Sequence, residues 1–204
     1  GERIMTSKIK VDTIEEKTSS NGVSIDGVVL KDNALTSAGA TLTDNITFSA
    51  SGKGIHLGVT SATASNLLDD YEEGTFTPVV SDAESGGNTA SIGFKSGVYV
   101  KVGNIVTVMV NMFNINKSGM TSSSNVNFQG LPFAVSNDFF SHVTGVCDVD
   151  LVDFNAYVTF LAFNNLSRGL FRNIRDNDTD LAITVSNLSA QDSDINFTIT
   201  YKTA

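Results

Sequence analysis

Aromatic residues are confined almost wholly to the last two thirds of this 204-residue chain: all 4 Tyr lie at or after Tyr71, and of the 13 Phe only Phe48 precedes it. That asymmetry limits what each part can fold into. Ordering one residue's backbone costs about 1–2 kcal/mol, and apolar burial at about 25 cal/mol per Å² is the main offset. Residues 1–65 are too poor in large side chains to bury enough surface alone. They are expected to be disordered, or wound with identical copies of themselves. Ile9-Lys10-Val11, Val23-Ser24-Ile25 and Val28-Val29-Leu30 are short apolar bursts, punctuated by Asn21-Gly22 and Asp26-Gly27. Such pairs favour tight turns because both residues tolerate positive φ. The pattern therefore favours the wound form, an elongated intertwined β stalk over 1–65 in which three chains share a narrow core of Val, Ile and Leu.

Residues 66–78 read as a joint. Leu67 and Leu68 can anchor against a core, while Asp69, Asp70, Glu72 and Glu73 form a solvated connector. Gly74 lets the backbone turn sharply. Thr75-Phe76-Thr77 then starts a strand, and Pro78, which has no N–H to donate, marks an edge or an end.

Residues 79–204 predict an antiparallel β-sandwich head, jelly-roll-like, so that the whole chain is all-β. Val98, Val100 and Val102 alternate with Tyr99 and Lys101, Gly103-Asn104 is a hairpin turn signal, and Ile105–Phe113 continues as a long strand. That strand is largely apolar on both faces, Val106, Val108, Val110 and Met112 on one and Ile105, Thr107, Met109, Asn111 and Phe113 on the other. One face is expected to meet the core and the other a neighbouring subunit or a covering loop. Further strands are expected at Asn125–Gln129, His142–Val149, Ala156–Phe163, Gly169–Ile174, Leu181–Val185 and Ile195–Tyr201. A helical turn or two is expected at Ala64–Asp70 and at Ala134–Phe140.

The charge balance excludes some functions. Net charge is −9 with no basic stripe, so nucleic-acid binding, which rests on neutralising phosphates, is disfavoured. An anionic membrane surface is disfavoured for the same reason, and no apolar run is long enough to span a bilayer as a helix. Met5 reads as the natural start of a short, complete gene product, with Gly1-Glu2-Arg3-Ile4 extraneous to it.

Three stretches carry a resemblance. They are Leu68-Asp69-Asp70-Tyr71-Glu72-Glu73-Gly74-Thr75-Phe76-Thr77-Pro78, the earlier run from Val11 to Asp32, and Tyr99-Val100-Lys101-Val102-Gly103-Asn104-Ile105-Val106-Thr107-Val108 with Gly130-Leu131-Pro132-Phe133 further on. Together they resemble segments that recur in phage tail-fibre and related virion-surface proteins, especially of marine phages. The resemblance covers most of the chain to Phe133. Its motifs are scaffold motifs and carry no catalytic residues across. It implies a homotrimer on the particle surface, made in the host cytoplasm, joined to other virion proteins through its N-terminal region.

Few residues suggest chemistry. Asp176-Asn177-Asp178-Thr179-Asp180 alternates oxygen ligands as calcium loops do, but lacks the Gly and distal Glu of an EF-hand, so a solvated turn is preferred. Asp148 and Asp150 share a strand face and, with Asp153, make a second acidic set; no companion acid or base builds a glycosidase from them. Arg168, Arg172 and Arg175 are expected to pair locally with Asp176, Asp178 or Asp180. His56 points to solvent, or toward an axis where three copies meet. Cys147 reads as a small buried hydrophobe, and His142, five positions away on a strand, falls on the opposite face. No metal, cofactor or catalytic residue is expected.

These features predict a non-enzymatic virion-surface protein of fibre or receptor-binding type that recognises a host-surface glycan or protein. Contacts are expected on distal loops: Asp82, Glu84 and Asn88 in the first, Ser118, Ser123 and Asn125 in the second, Asp176, Asp178 and Asp180 in the third. The alternatives are a particle decoration protein, a tailspike-like glycan hydrolase, and a cellular carbohydrate-binding or adhesive module.

Overall fold

The computed structural model describes residues 45–138 and 143–203, with the backbone of 29–31 and 34–36. The chain divides into two compact units, Gly1–Thr47 and Phe48–Ala204. In the first, strands β1 (Val29–Lys31) and β2 (Ala34–Thr36) pair antiparallel. The remaining expectations for residues 1–44, the intertwined stalk among them, fall outside the described residues, as does His142.

In the second unit, β3 (Ile55–His56) pairs with β4 (Leu67–Leu68), and a single 3-10 turn spans Ala64–Asn66 within the helical stretch expected there. Everything after Leu68 builds one large antiparallel sheet. Its strands are β5 (Tyr71–Phe76), β6 (Val79–Ser81), β7 (Ser91–Val102), β8 (Ile105–Asn116), β9 (Asn127–Gln129), β10 (Val143–Asp150), β11 (Tyr157–Ala162), β12 (Arg168–Ile174), β13 (Leu181–Ala182) and β14 (Ser193–Lys202). Their order across the sheet is β5-β7-β8-β14-β10-β11-β12-β9-β6, with β13 on β12. The fold is all-β, as expected. A second 3-10 turn, Val185–Asn187, stands where the expected strand Leu181–Val185 gives out.

The sheet curls until its far strands meet. Phe197 on β14 and Phe128 on β9 stand four strands apart in the sheet, yet their rings are 5.1 Å apart, edge to face. Phe160 and Phe171 complete the cluster, with Phe160 4.4 Å from Phe197 and 5.5 Å from Phe171. The inward face of β8, Val106, Val108, Val110 and Met112, is fully buried against them, as are Ile195, Ile199 and Tyr201 of β14. Period-two alternation therefore sorts each strand into a core face and an outer face, and the two walls of the curl sandwich one core.

The curl closes where β5 runs into β6. These strands are separated by Thr77 and Pro78 alone, yet they sit at opposite ends of the sheet order. β5 pairs with the second half of β7, from Tyr71↔Val102 to Phe76↔Gly97. β6 pairs with β9 on one side and, on the other, with the residues just before β7, through a Ser81↔Thr89 bridge and an Ala90 N–H donating to Val80 O at 2.9 Å. Pro78 thus falls between two strands, consistent with its missing donor.

Two reciprocal pairs make this seam. Phe76 covers Gly97 and Tyr99 covers Gly74, each pair directly opposite in register. A Cβ on Gly97 would lie 2.8 Å from the Phe76 ring, and one on Gly74 2.8 Å from the Tyr99 hydroxyl. Aromatic cover over a strand glycine restores the burial the glycine forfeits while letting the backbones bend. A Gly97→Ala variant tests the seam. The strand gains about 0.5–1 kcal/mol from losing a glycine, but displacing the ring costs about 1–3 kcal/mol. The variant is expected to be less stable in urea unfolding.

Candidate functional site

Antiparallel order sorts the connections by end. At one end the chain enters at Tyr71, and here lie the tight Gly103-Asn104 turn, the 163–167 connection and residues 130–138 of the connection from β9 to β10, with Val135 bridged to Asn164 and Thr203. At the other end lie four connections: 82–90, 117–126, 151–156 and 175–192. All three loops predicted to carry contacts begin at this loop end; the fourth, 151–156, was expected as a connection between two strands but not as a contact loop.

Three of the four are laced into one layer. Val126 N–H donates to Ile183 O at 2.8 Å, Val185 N–H to Ser124 O at 2.8 Å and Ser186 N–H to Ser122 O at 2.9 Å. Asp153 N–H donates to Asn187 O at 2.8 Å, and Ser189 N–H to Leu151 O at 3.1 Å. Lys117, which drew no attention in the sequence, anchors the layer. Its ammonium donates to Val185 O at 3.1 Å, to Ser186 O at 3.3 Å and to Leu188 O. These are carbonyls of the 3-10 turn and its cap; Val185 O also accepts from Leu188 N–H at 3.3 Å.

Ser118, Ser123 and Asn125 lie exposed in this layer, and Asn125 is bridged to Thr184. Asp176 and Asp178 are exposed and Asp180 is half-buried. Asp178 pairs with Arg175 at 2.8 Å and Asp180 with Arg172 at 3.5 Å. Guanidinium groups thus occupy carboxylates that a cation would need. No cluster able to hold a metal occurs among the described residues. Arg168 departs from the expected pairing: it turns to the first loop, donating to Glu84 O at 2.8 Å.

The first loop differs from its expectation most. Asp82 is buried and faces inward, its carboxylate accepting from Asn88 N–H at 2.7 Å, Asn88 Nδ2 at 2.9 Å and Thr121 N–H at 2.8 Å. These donors hold its pKa down at about 2, the Asn88 side chain foremost. Asp82 therefore clamps the first loop to the second and is turned away from solvent. Gln129 holds the tip from below, donating to Ser81 Oγ, Ala83 O and Gly86 O at 2.7, 2.9 and 3.0 Å. Glu84 is exposed but drawn back toward Arg168, and Asn88 is bound to Asp82.

The 151–156 loop, not among the expected contact loops, presents apolar surface. Leu151 is 56% exposed and sits at φ +53°, a conformation that bulky residues rarely adopt. Its carbonyl accepts from Ser193 Oγ at 2.7 Å as well as from Ser189. Phe154 follows, also exposed. The sequence signal was Asp150-Leu151-Val152-Asp153-Phe154, apolar residues between carboxylates that were read only for their acids.

Two shallow depressions lie elsewhere. One, about 350 Å³, sits on the outer sheet face between Met109, Asn111, Val146, Asp148, Asn196 and Thr198. Asp148 supplies its one carboxylate. The other, about 180 Å³, lies between Glu84, Ser85, Gln129, Leu166, Ser167 and Arg168. Cys147 is half-buried against the core, and burial pushes its thiol up to about 12, so the nucleophilic thiolate is scarce near neutral pH. His56 is exposed on β3. Compared with known families and with curated proteins, the sequence matches none.

Two substitutions test the scaffold of the loop end. Asp82 has a folded pKa of about 2 against an ordinary 3.8. Its stabilisation is therefore complete above about pH 4 and lost as pH falls toward 2. Asp82→Asn is expected to melt below wild type at pH 7, with the gap closing by pH 2. Lys117→Met, which removes the ammonium from the Val185, Ser186 and Leu188 carbonyls, is expected to cost about 1–3 kcal/mol in urea unfolding.

Proposed function

We propose that this protein is a non-enzymatic virion-surface protein of a phage, of fibre or receptor-binding type, with a jelly-roll-like head that recognises the host surface. The observation that carries the reading is the polarity of the curled sheet. The chain enters at one end, and four connections lie at the other, where three of them are laced together and leave Ser123, Leu151, Phe154 and Asp176 exposed. A rigid sheet that carries loops away from its point of attachment suits recognition at a distance.

The resemblance supports it too. Its motif stretches from Leu68 to Phe133 are far apart in sequence but meet at the seam. Lys101 pairs with Asp70 and lies over the Phe133 ring at 5.7 Å, and the Tyr99 hydroxyl donates to Glu72. Tyr99 also packs edge-on against Phe133, 5.3 Å between centroids. Residues that recur together in fibre-like proteins here share one structural task, which is what scaffold motifs would do. The N-terminal region is assigned to trimerisation and attachment to the particle.

The contact surface moves accordingly, from Asp82 and Asn88 to the layer formed by 117–126, 151–156 and 176–180. Ser123→Arg combined with Phe154→Glu is expected to abolish the purified protein's competition with phage for host adsorption while leaving its melting temperature unchanged. Competition at the wild-type level would remove the loop end from recognition.

A further inference from the structure

Two local costs meet at one place on the loop end. Leu151 holds φ +53°, a conformation costly for leucine that glycine or asparagine takes readily. Ser189 N–H and Ser193 Oγ hold it there by donating to its carbonyl. Its side chain is exposed and stands outside the core, so no core packing offsets the strain. Asp150, just before it, stands directly opposite Asp194 on β14. Like charges directly opposite on paired strands are destabilising. Folding of the chain favours neither feature. Backbone held against its local preference by its surroundings clusters at functional sites.

We propose, resting on the reading of the loop end as a host-recognition surface, that Leu151 and Phe154 form an apolar knob that seats in an apolar cleft of a cationic protein, with Asp150, Asp153, Asp192 and Asp194 as its acidic rim. The backbone gathers these residues. Asp150 and Asp153 flank Leu151 in sequence, and both are exposed. Asp194 faces Asp150 across the ladder. Asp192 is tied in through Ser189: its N–H donates to Ser189 Oγ at 3.0 Å, and Ser189 N–H donates to Leu151 O. Between the two apolar residues, Val152 is buried and bridged to Leu188, and Asp153 N–H donates to Asn187 O. The knob is therefore presented on a fixed backbone, and little ordering remains to be done on binding.

Charge selects the partner. None of the four carboxylates takes part in an ion pair among the described residues. Lys117, whose ammonium reaches Leu188 O across the Val152 bridge, spends its donors on backbone carbonyls. The rim thus keeps its negative charge, on a chain of net charge −9. An acidic polysaccharide or an anionic lipid surface is repelled by it. A neutral sugar offers no cation to the rim and no apolar cleft to an aliphatic side chain. A protein cleft lined by apolar side chains and edged by Lys or Arg meets both, with the buried anchor supplying affinity and the charged edge supplying encounter rate and register.

The test measures binding of the full chain to detergent-solubilised host envelopes, untreated or digested with proteinase K. The wild type is expected to bind untreated envelopes, to lose that binding after digestion, and to bind about tenfold more weakly when salt rises from about 50 to about 500 mM. Leu151→Asn suits the positive φ and removes the knob. It is expected to melt no lower than the wild type and to bind about tenfold more weakly. Asp150→Asn with Asp194→Asn keeps an oxygen for the Leu151 and Asn114 N–H groups that the two carboxylates accept from. That variant is expected to melt higher, to bind more weakly and to show a flatter salt dependence. Binding that survives digestion points to a glycan or a lipid and overturns the proposal. So does wild-type binding indifferent to salt, or a Leu151→Asn variant that binds like the wild type or melts below it. Those outcomes leave host recognition standing, whereas a wild type that binds neither form of the envelopes removes that reading and this one together.

Discussion

The fold depends on one closure. A twisted antiparallel sheet that curls this far leaves two edges, and unpaired strand edges are exposed to pairing with other chains. Here one chain segment serves both. β5 ends the sheet on one side, and after Thr77 and Pro78 the same segment becomes β6 and ends it on the other. β6 also pairs with the residues just before β7, so the ring is hydrogen-bonded shut at the loop end. The approach of backbones that closure requires is allowed by Gly97 and Gly74. Phe76 and Tyr99 cover the gaps the glycines leave.

Closure also explains the polar residues at the entry end. Lys101 points inward beside Val106 on a strand whose neighbours are core, and it is buried. A buried ammonium without a partner is costly. Asp70 supplies the partner and the Phe133 ring supplies the cover. The acidic stretch read as a solvated connector is therefore in large part an edge strand with assigned partners: Asp70 for Lys101, Glu72 for Tyr99, and Glu73 for the Tyr71 hydroxyl at 2.8 Å. Their carboxylates reach water, as expected, but the backbone that carries them from Tyr71 onward is sheet.

How much was legible follows from which forces are local. β7, β8 and β14 were readable because period-two alternation is a direct imprint of a core on one side, and Gly103 takes the positive φ (+56°) that its place in the hairpin turn requires. The curl was not readable, because Phe128 and Phe197 meet only after four strands of twist accumulate. The loops were located by composition, but their inward and outward residues were not. Asp82 and Glu84 are both carboxylates in one turn, and the Asn88 and Thr121 amides that turn Asp82 inward are set by tertiary structure. Leu151 was hidden for the opposite reason, since an exposed leucine in a strained turn is what local propensity argues against.

β8 joins the legible part to the part a single chain leaves open. Its sequence is largely apolar on both faces, and the expectation of two-sided burial followed from that pattern. In the isolated chain one face is fully buried and the other leaves Ile105 and Met109 nearly half exposed. A surface strand in an antiparallel sheet is ordinarily polar on its wet side, as β14 is, where Asn196, Thr198 and Thr200 face outward beside β8. On the same face β8 mixes Ile105 and Met109 with Thr107 and Asn111. Folding of one chain explains the inner face of both. Ile105, Met109 and Val146 on the outer face stand outside the core that this folding builds.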